Sequence, residues 1–261
     1  MKLNRIIAIN LRYFYLLRRS YDRLSDVFYW PAIDLFIWGL TSSFFTSLAP
    51  KIPNIILMIL SGQMLWIIVW RGQYEITVNL LEDLWNKNLI NIFVAPLSFS
   101  EWVVSLLLHG VMKAMLSFSF AVLFVYFLYK VKIFILGFYL LPFMLLLIMT
   151  GWCIGFFVAG LILRFGTKVQ TLAWTFGWLF GPFSAIYYPV SILPVWAQKI
   201  AIFIPSSYVF EGMREVVNKG HLDSNKVLTS FLLNLFYLCF SLVFLRKSFD
   251  KALEKGLVKV Y

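Results

Sequence analysis

The sequence is poor in charge. Only 13% of its 261 residues are Asp, Glu, Lys or Arg, against about 25% in soluble domains. It is poor in cysteine as well. Its two, Cys153 and Cys239, both sit in apolar runs, which excludes a disulfide scaffold. It has two histidines, His109 and His221, and no Cys/His set at metal-ligand spacing, which argues against a membrane metalloenzyme or haem protein. No Gly-Lys dipeptide occurs anywhere, so the chain cannot hold ATP in a P-loop. It also lacks an Asp-rich pair for magnesium–diphosphate chemistry, an H-E-x-x-H and a G-x-S-x-G. Internal repeats and low-complexity tracts are missing too.

What the chain does have is apolar and aromatic side chains, at 61% and 19%, and a mean hydropathy of +0.83. A soluble globule of 30.5 kDa has too little interior to cover them. Disordered chains are poor in these residues. The remaining class is an all-α polytopic membrane protein in a single domain over residues 1–261.

Six apolar stretches are expected to span: Val27–Leu48, Ile55–Trp70 with a helical extension past Arg71, Val111–Tyr129, Ile133–Leu163, Val169–Tyr188 and Val227–Leu245. Their lengths, near or above the roughly 17–25 residues a span needs, and the scarcity of alternating patterns favour helices over a barrel. Residues 1–23 precede them. The spread of Arg5, Arg12, Arg18 and Arg19 through apolar residues does not suit a cleaved signal peptide, so the segment is expected to be retained. On a helix, Arg5, Arg12, Arg19 and Arg23 share one sector of about 40°, opposite Ile6, Ile7, Phe14 and Leu17. That pattern predicts an amphipathic helix lying in the membrane interface against lipid headgroups.

The net charge of +11 has a topological meaning. With the N-terminus inside, fifteen Lys and Arg fall on the cytoplasmic side, including Arg71, Lys87, Arg164, Lys168 and the tail 246–261 with Lys255 and Lys259. Seven fall outside, among them Lys51, Lys199, Arg214 and Lys226, and Lys113 sits near the inner end of the third span. The excess predicts both termini inside, in the cytoplasmic membrane. It is not distributed as a nucleic-acid footprint.

Two connecting segments stand out. In residues 80–94, Leu81, Leu84, Trp85 and Leu89 alternate with Glu82, Asp83 and Asn88, which predicts a short amphipathic docking helix ended before Pro96. Prolines 182, 189, 194 and 205 punctuate the segment before the last span, and residues 190–217 read as two half-length helices, as in a re-entrant hairpin. Pro205-Ser206-Ser207 offers a helix start with a serine cap, and Glu211 and Arg214 are placed to pair at i, i+3.

Three ionisable residues lie inside apolar stretches. Asp34 is expected to pair with a basic side chain, and Lys113, four residues after His109, to reach the inner interface. Gly151, Gly155 and Ala159, and Gly177 and Gly181, are spaced for close helix packing. Trp30, Trp38, Trp66, Trp70, Trp152, Trp174 and Trp178 read as anchors, packing or the lining of a path.

This order of elements resembles the membrane subunits of type-two ATP-binding-cassette exporters. The basic helix, six spans, the short helix between the second and third, and the hairpin before the sixth all match. Members carry P-x-x-Y-x-x-E-x-x-R in that hairpin, which here reads Pro205, Tyr208, Glu211 and Arg214. The segment from Glu82-Asp83 to Pro96 resembles their coupling helix. The resemblance implies pairing with a second copy or a similar permease. It also implies a separate cytoplasmic subunit that binds ATP and Mg, with no cofactor in this chain. Substrates of such exporters include drugs, lipids and lipid-linked glycans. Two other classes are weighed: an ion-coupled secondary carrier, for which the expected repeats are missing, and a membrane lipid transferase, for which no catalytic set is evident.

Overall fold

The computed structural model describes residues 1–48 and 54–254. Lys51, Lys255, Lys259 and the end of the tail lie outside the described residues. Within them the chain is helical and has no strand. The α-helices are α1 (Leu3–Arg19), α2 (Tyr21–Leu48), α3 (Ile55–Trp85), α4 (Leu89–Val94), α5 (Phe99–Tyr129), α6 (Leu140–Phe165), α7 (Leu172–Phe180), α8 (Val195–Ala201), α9 (Pro205–Lys219) and α10 (Ser224–Glu254).

The bundle is built around α3. At 31 residues it is about 46 Å long. It packs chiefly on α6 and α5, and then on α2 and α7. The approach of α3 to α6 depends on glycine. A Cβ at Gly151 would lie 2.5 Å from the Val69 carbonyl oxygen and 3.0 Å from the Gly72 Cα. One at Gly155 would meet the Ile76 side chain at 3.0 Å. The small-residue series read from the sequence therefore sits at this seam.

Four stretches among the described residues are long and apolar enough to cross a membrane: α3, α5, α10, and α6 with the 3-10 turns beside it (Ile133–Val169). The protein is thus a helical chain of membrane type, and two of the six expected spans differ. Helix α2 has the length, with 28 residues. Its first turns carry Asp22, Arg23 and Asp26, and its last turns are rich in Ser and Thr, which shortens the apolar part. The expected span Val169–Tyr188 contains only the nine-residue α7, between 3-10 turns at Gly166–Val169 and Gly181–Phe183. Gly166 takes a left-handed φ of 65° at one end, and Pro182 cannot donate at the other.

The expected single helix over 80–94 is two elements. Helix α3 runs on through Trp85 because Leu80, Leu81 and Leu84 continue its buried stripe. The chain breaks at Asn86-Lys87-Asn88, where Lys87 adopts φ 52°, and α4 follows. Ser98 and Glu101 then form a capping box that starts α5.

The bundle has two distinct ends. At one, Phe249 near the end of α10 packs 6.0 Å from Trp102, and the Lys2 backbone N–H donates to Glu101 at 2.6 Å. Both ends of the described chain therefore lie with α4. At the other, Asn218 of α9 reaches Met58 near the start of α3. There α8 and α9 form a helical pair, of 7 and 15 residues. The expected serine cap is not used: Ile204 is the N-cap residue and Pro205 occupies the first helical position. Ser207 Oγ instead donates back to the carbonyls of Ala201 (2.7 Å) and Ile204 (2.8 Å). This joins the two helices.

Glu215 closes the turn from α9 to α10. It accepts from Lys226 (2.9 Å), the Asp223 N–H (3.3 Å) and Lys219 (3.3 Å), which hold its carboxyl down at about 2 against an ordinary 4.5. The stabilisation is complete above pH 4.5 and is lost as pH falls toward 2. Thermal unfolding in detergent should show this part of the acid loss in the native chain and not in Glu215→Gln. Gly151→Val should cost about 1–3 kcal/mol through overpacking of the α3–α6 seam, read as a lower unfolding midpoint.

Candidate functional site

At the end of the bundle that holds α4, helix α1 is tied down by carboxylates. Arg12 pairs with Asp83 of α3, and Arg5 with Glu101 of α5 at 3.5 Å. Arg23 of α2 pairs with Glu82. Asp83 also accepts from Tyr13 Oη (3.4 Å) and Asn88 Nδ2 (3.0 Å). Burial, and then the Asp83 carboxylate, push the Tyr13 phenol above its ordinary value, so it remains a donor. Arg5 and Arg12 are therefore placed on protein carboxylates rather than turned to headgroups. Arg18 and Arg19 remain exposed, as do Leu3, Ile7, Leu11 and Phe14. The half-exposed arginines keep each pair weak, but together they anchor α1 at two places on the bundle.

This rearranges the expected docking surface. Leu81, Asp83, Leu84 and Leu89 are buried within the protein. Trp85 is 46% exposed, yet it donates to Gln170 at 3.2 Å and stacks on Trp174 of α7. Among the described side chains of α4, the apolar ones left outward are Ile90 and Val94, one turn apart. Their i, i+4 spacing just before Pro96 was the available signal.

Above this end, α3 carries Arg71, Glu75, Asn79 and Asp83 at successive four-residue steps, all buried. Glu75 is the centre. Lys113 of α5 reaches it at 2.7 Å, Arg71 at 3.5 Å and His109 Nε2 at 3.8 Å. Arg71 in turn pairs with Asp26 of α2 at 2.6 Å and with that residue's own carbonyl. Lys113 thus does not extend to the interface as the sequence suggested, because a carboxylate lies nearer in the interior. Glu75 and Asp26 were the missed members, and Arg71 was placed outside the apolar region. Their signal was the polar stripe 71-75-79-83 itself.

Next to Arg71 a cavity of about 500 Å³ opens between α2, α3 and α7. Trp30, Trp66, Trp70, Trp174 and Trp178 surround it, with Asp34 and Gln63 in its wall. Trp70 and Trp178 rings lie 5.4 Å apart. The expected cation for Asp34 is not there: among the described residues it makes no ion pair. Trp38 instead stacks on Tyr187 at 3.8 Å, and Tyr187 donates to Gln63 at 2.6 Å. Gln73 and Thr77 of α3 donate to the Ala173 carbonyl, at 2.6 and 3.2 Å, and hold α7 to this wall.

At the far end, the Glu211–Arg214 pair forms as its spacing suggested, at 3.3 Å. Its work is done on the preceding loop. Arg214 donates to the carbonyl of Ala185 at 2.5 Å, and Glu211 accepts from the Val190 N–H at 2.7 Å. Ala185 holds a left-handed φ of 59°, a strained conformation that these bonds maintain. Pro205 accepts from Ser230 of α10 at 2.8 Å, and Tyr208 donates to Ile202 at 2.9 Å. All four motif residues therefore act as structural ties around α8 and α9. Among the described residues no group of His, Cys, Asp and Glu could hold a metal ion. Compared with known families and with curated proteins, the chain matches no family model and no curated relative.

Lys113→Met leaves the Glu75 carboxylate short of a cation in the interior and should cost about 3–5 kcal/mol. Adding Glu75→Gln should recover most of that loss. Thermal unfolding midpoints of the single and double variants in detergent measure the difference.

Proposed function

We propose that the chain is the membrane-spanning permease subunit of an ATP-binding-cassette exporter. It forms, with a second copy or a similar permease, the path for an amphiphilic substrate such as a drug, lipid or lipid-linked glycan. Its place is the cytoplasmic membrane, with both termini inside. A separate cytoplasmic subunit binds ATP and Mg and supplies the energy, consistent with the lack of a nucleotide-binding motif here. The hairpin of α8 and α9 re-enters the membrane from the outside.

The observation that carries this reading is the junction of α3, α4 and α1. The exposed face of α4 with Ile90 and Val94 sits directly after α3, across a three-residue break. Helix α3 is clasped by α1 through Asp83 and carries Arg71, the buried charge that borders the aromatic cavity. A partner that displaces α4 on ATP binding therefore moves the one helix that lines the cavity and contacts most of the bundle. A second copy seated across α2 and α7 closes the cavity from the side, and relative movement there opens it outward. Helix α1 is the cytoplasmic lever of this movement.

A second reading, an ion-coupled carrier, is favoured by one observation, the meeting of Glu75 with His109 and Lys113. It requires transport to follow a proton or sodium gradient without any ATPase.

The test is co-purification with an ATP-binding-cassette subunit followed by transport in proteoliposomes. Ile90→Glu with Val94→Glu should leave the permease folded and reduce ATP-driven transport about thirtyfold, as when a docking hot spot worth about 2 kcal/mol is lost. Undiminished coupling in that variant removes α4 as the docking element. Gradient-driven transport without ATP establishes the second reading instead.

A further inference from the structure

We propose that the cavity between α2, α3 and α7 binds an amphiphilic organic cation, with the Asp34 carboxylate as its counter-charge and the tryptophan rings as its walls. This names a substrate class for the path proposed above and rests on that reading.

The first argument is charge balance. Asp26 is matched by Arg71, and Glu75 by Lys113 together with Arg71. Asp34 is left over: among the described residues it makes neither an ion pair nor a hydrogen bond. It lies eight residues beyond Asp26, about 12 Å further along α2, in the apolar part of that helix. A carboxylate there is costly unless a cation meets it.

The second argument is the wall. Trp30, Trp66, Trp70, Trp174 and Trp178 line the same space as Asp34. Aromatic faces attract cations, most strongly where water is excluded, and tryptophan does so best. They also accept apolar groups, so one site serves a cation carried on an apolar body. An inorganic cation is poorly served, because indole rings offer none of the oxygen ligands it requires. An anionic headgroup is poorly served as well. Arg71, the cation among the lining residues, gives Nη1 to Asp26 and Glu75 and Nη2 to the Asp26 carbonyl, which leaves only its Nε without a partner.

The third argument is size. A volume of about 500 Å³ falls within the range of about 300–1,000 Å³ typical of small-molecule pockets.

Tetraphenylphosphonium is a suitable probe, and tetraphenylborate is its near-isosteric anion. Each is titrated into the purified full chain in nanodiscs of zwitterionic lipid, with tryptophan fluorescence and calorimetry as readouts. Saturable binding of the cation and not of the anion is expected. Asp34→Asn should weaken cation binding about tenfold or more, Asp34→Glu should largely retain it, and Trp174→Leu with Trp178→Leu should weaken it. Because Asp34 has no partner to lose, Asp34→Asn should unfold no earlier than the native chain, so a folding failure is recognised directly. Equal binding of both ions, or unchanged cation affinity in Asp34→Asn, overturns the site. So does a lack of cation binding to the native chain, which leaves Asp34 as a proton site. The assay contains no ATPase subunit, so these failures leave the exporter reading standing. Conversely, cation binding by the chain without ATP-dependent cation efflux by the assembled complex keeps the site and overturns the cation as the exported substrate.

Discussion

A carboxylate at the centre of an apolar bundle persists only if cations hold it there, and Glu75 is held by Lys113 and Arg71. The pairing fixes more than one residue. Lys113 belongs to α5, and Arg71 passes the link on to Asp26 of α2. Three helices are thereby set in register at a single level of the bundle. Apolar packing alone would leave that register soft, because lipid tails satisfy a leucine face as well as a neighbouring helix does. An ion pair in low dielectric tolerates no slippage, since a broken pair leaves a buried charge. The polar stripe of α3 is therefore what converts a set of greasy helices into one arrangement.

The same logic, at lower cost and lower strength, governs the end that holds α4. Asp83 and Glu101 draw α1 onto the bundle through Arg12, Arg5 and the Lys2 backbone. These pairs are partly exposed, so they hold α1 in place without freezing it. Fully buried pairs at Glu75 and pairs with half-exposed arginines at the α4 end give the structure a stiff middle and a more compliant rim. That gradient suits the exporter we propose, in which a partner acts on α4 and the cavity changes shape.

The class of fold was legible because length and hydropathy are coarse properties that packing cannot overturn. The long helices α5, α6 and α10 fall close to where their apolar runs lie. The Glu211–Arg214 pair was legible because i, i+3 geometry is local. The cavity was not: Trp30, Trp66 and Trp174 are far apart in the chain, and only the fold collects them. Asp34 and Lys113 were misjudged for a shared reason. Each was weighed by its own helix, whereas its fate depends on other helices, which supply Glu75 to Lys113 and, among the described residues, no cation to Asp34. The end of α3 was misjudged because Leu81 and Leu84 look the same on a docking face as on a buried one. The break at Asn86–Asn88 was visible as composition, but its left-handed Lys87 was not. Segment 169–188 was apolar enough to suggest a span, and only its glycines and Pro182 hinted that α7 would be short.

The link between Glu75 and Lys113 spans 38 residues of chain, and that separation imposes an order on biogenesis. As the chain is made, Asp26 is already present when Arg71 emerges, so Arg71 enters the bilayer with its counter-ion at hand. Glu75 has only its neighbour Arg71, already shared, until α5 is synthesised. Helix α3 therefore cannot be released alone into lipid without exposing its polar stripe to hydrocarbon. Its full set of counter-charges exists only once α5 has been made, so the helix central to the finished protein is among those that cannot settle first.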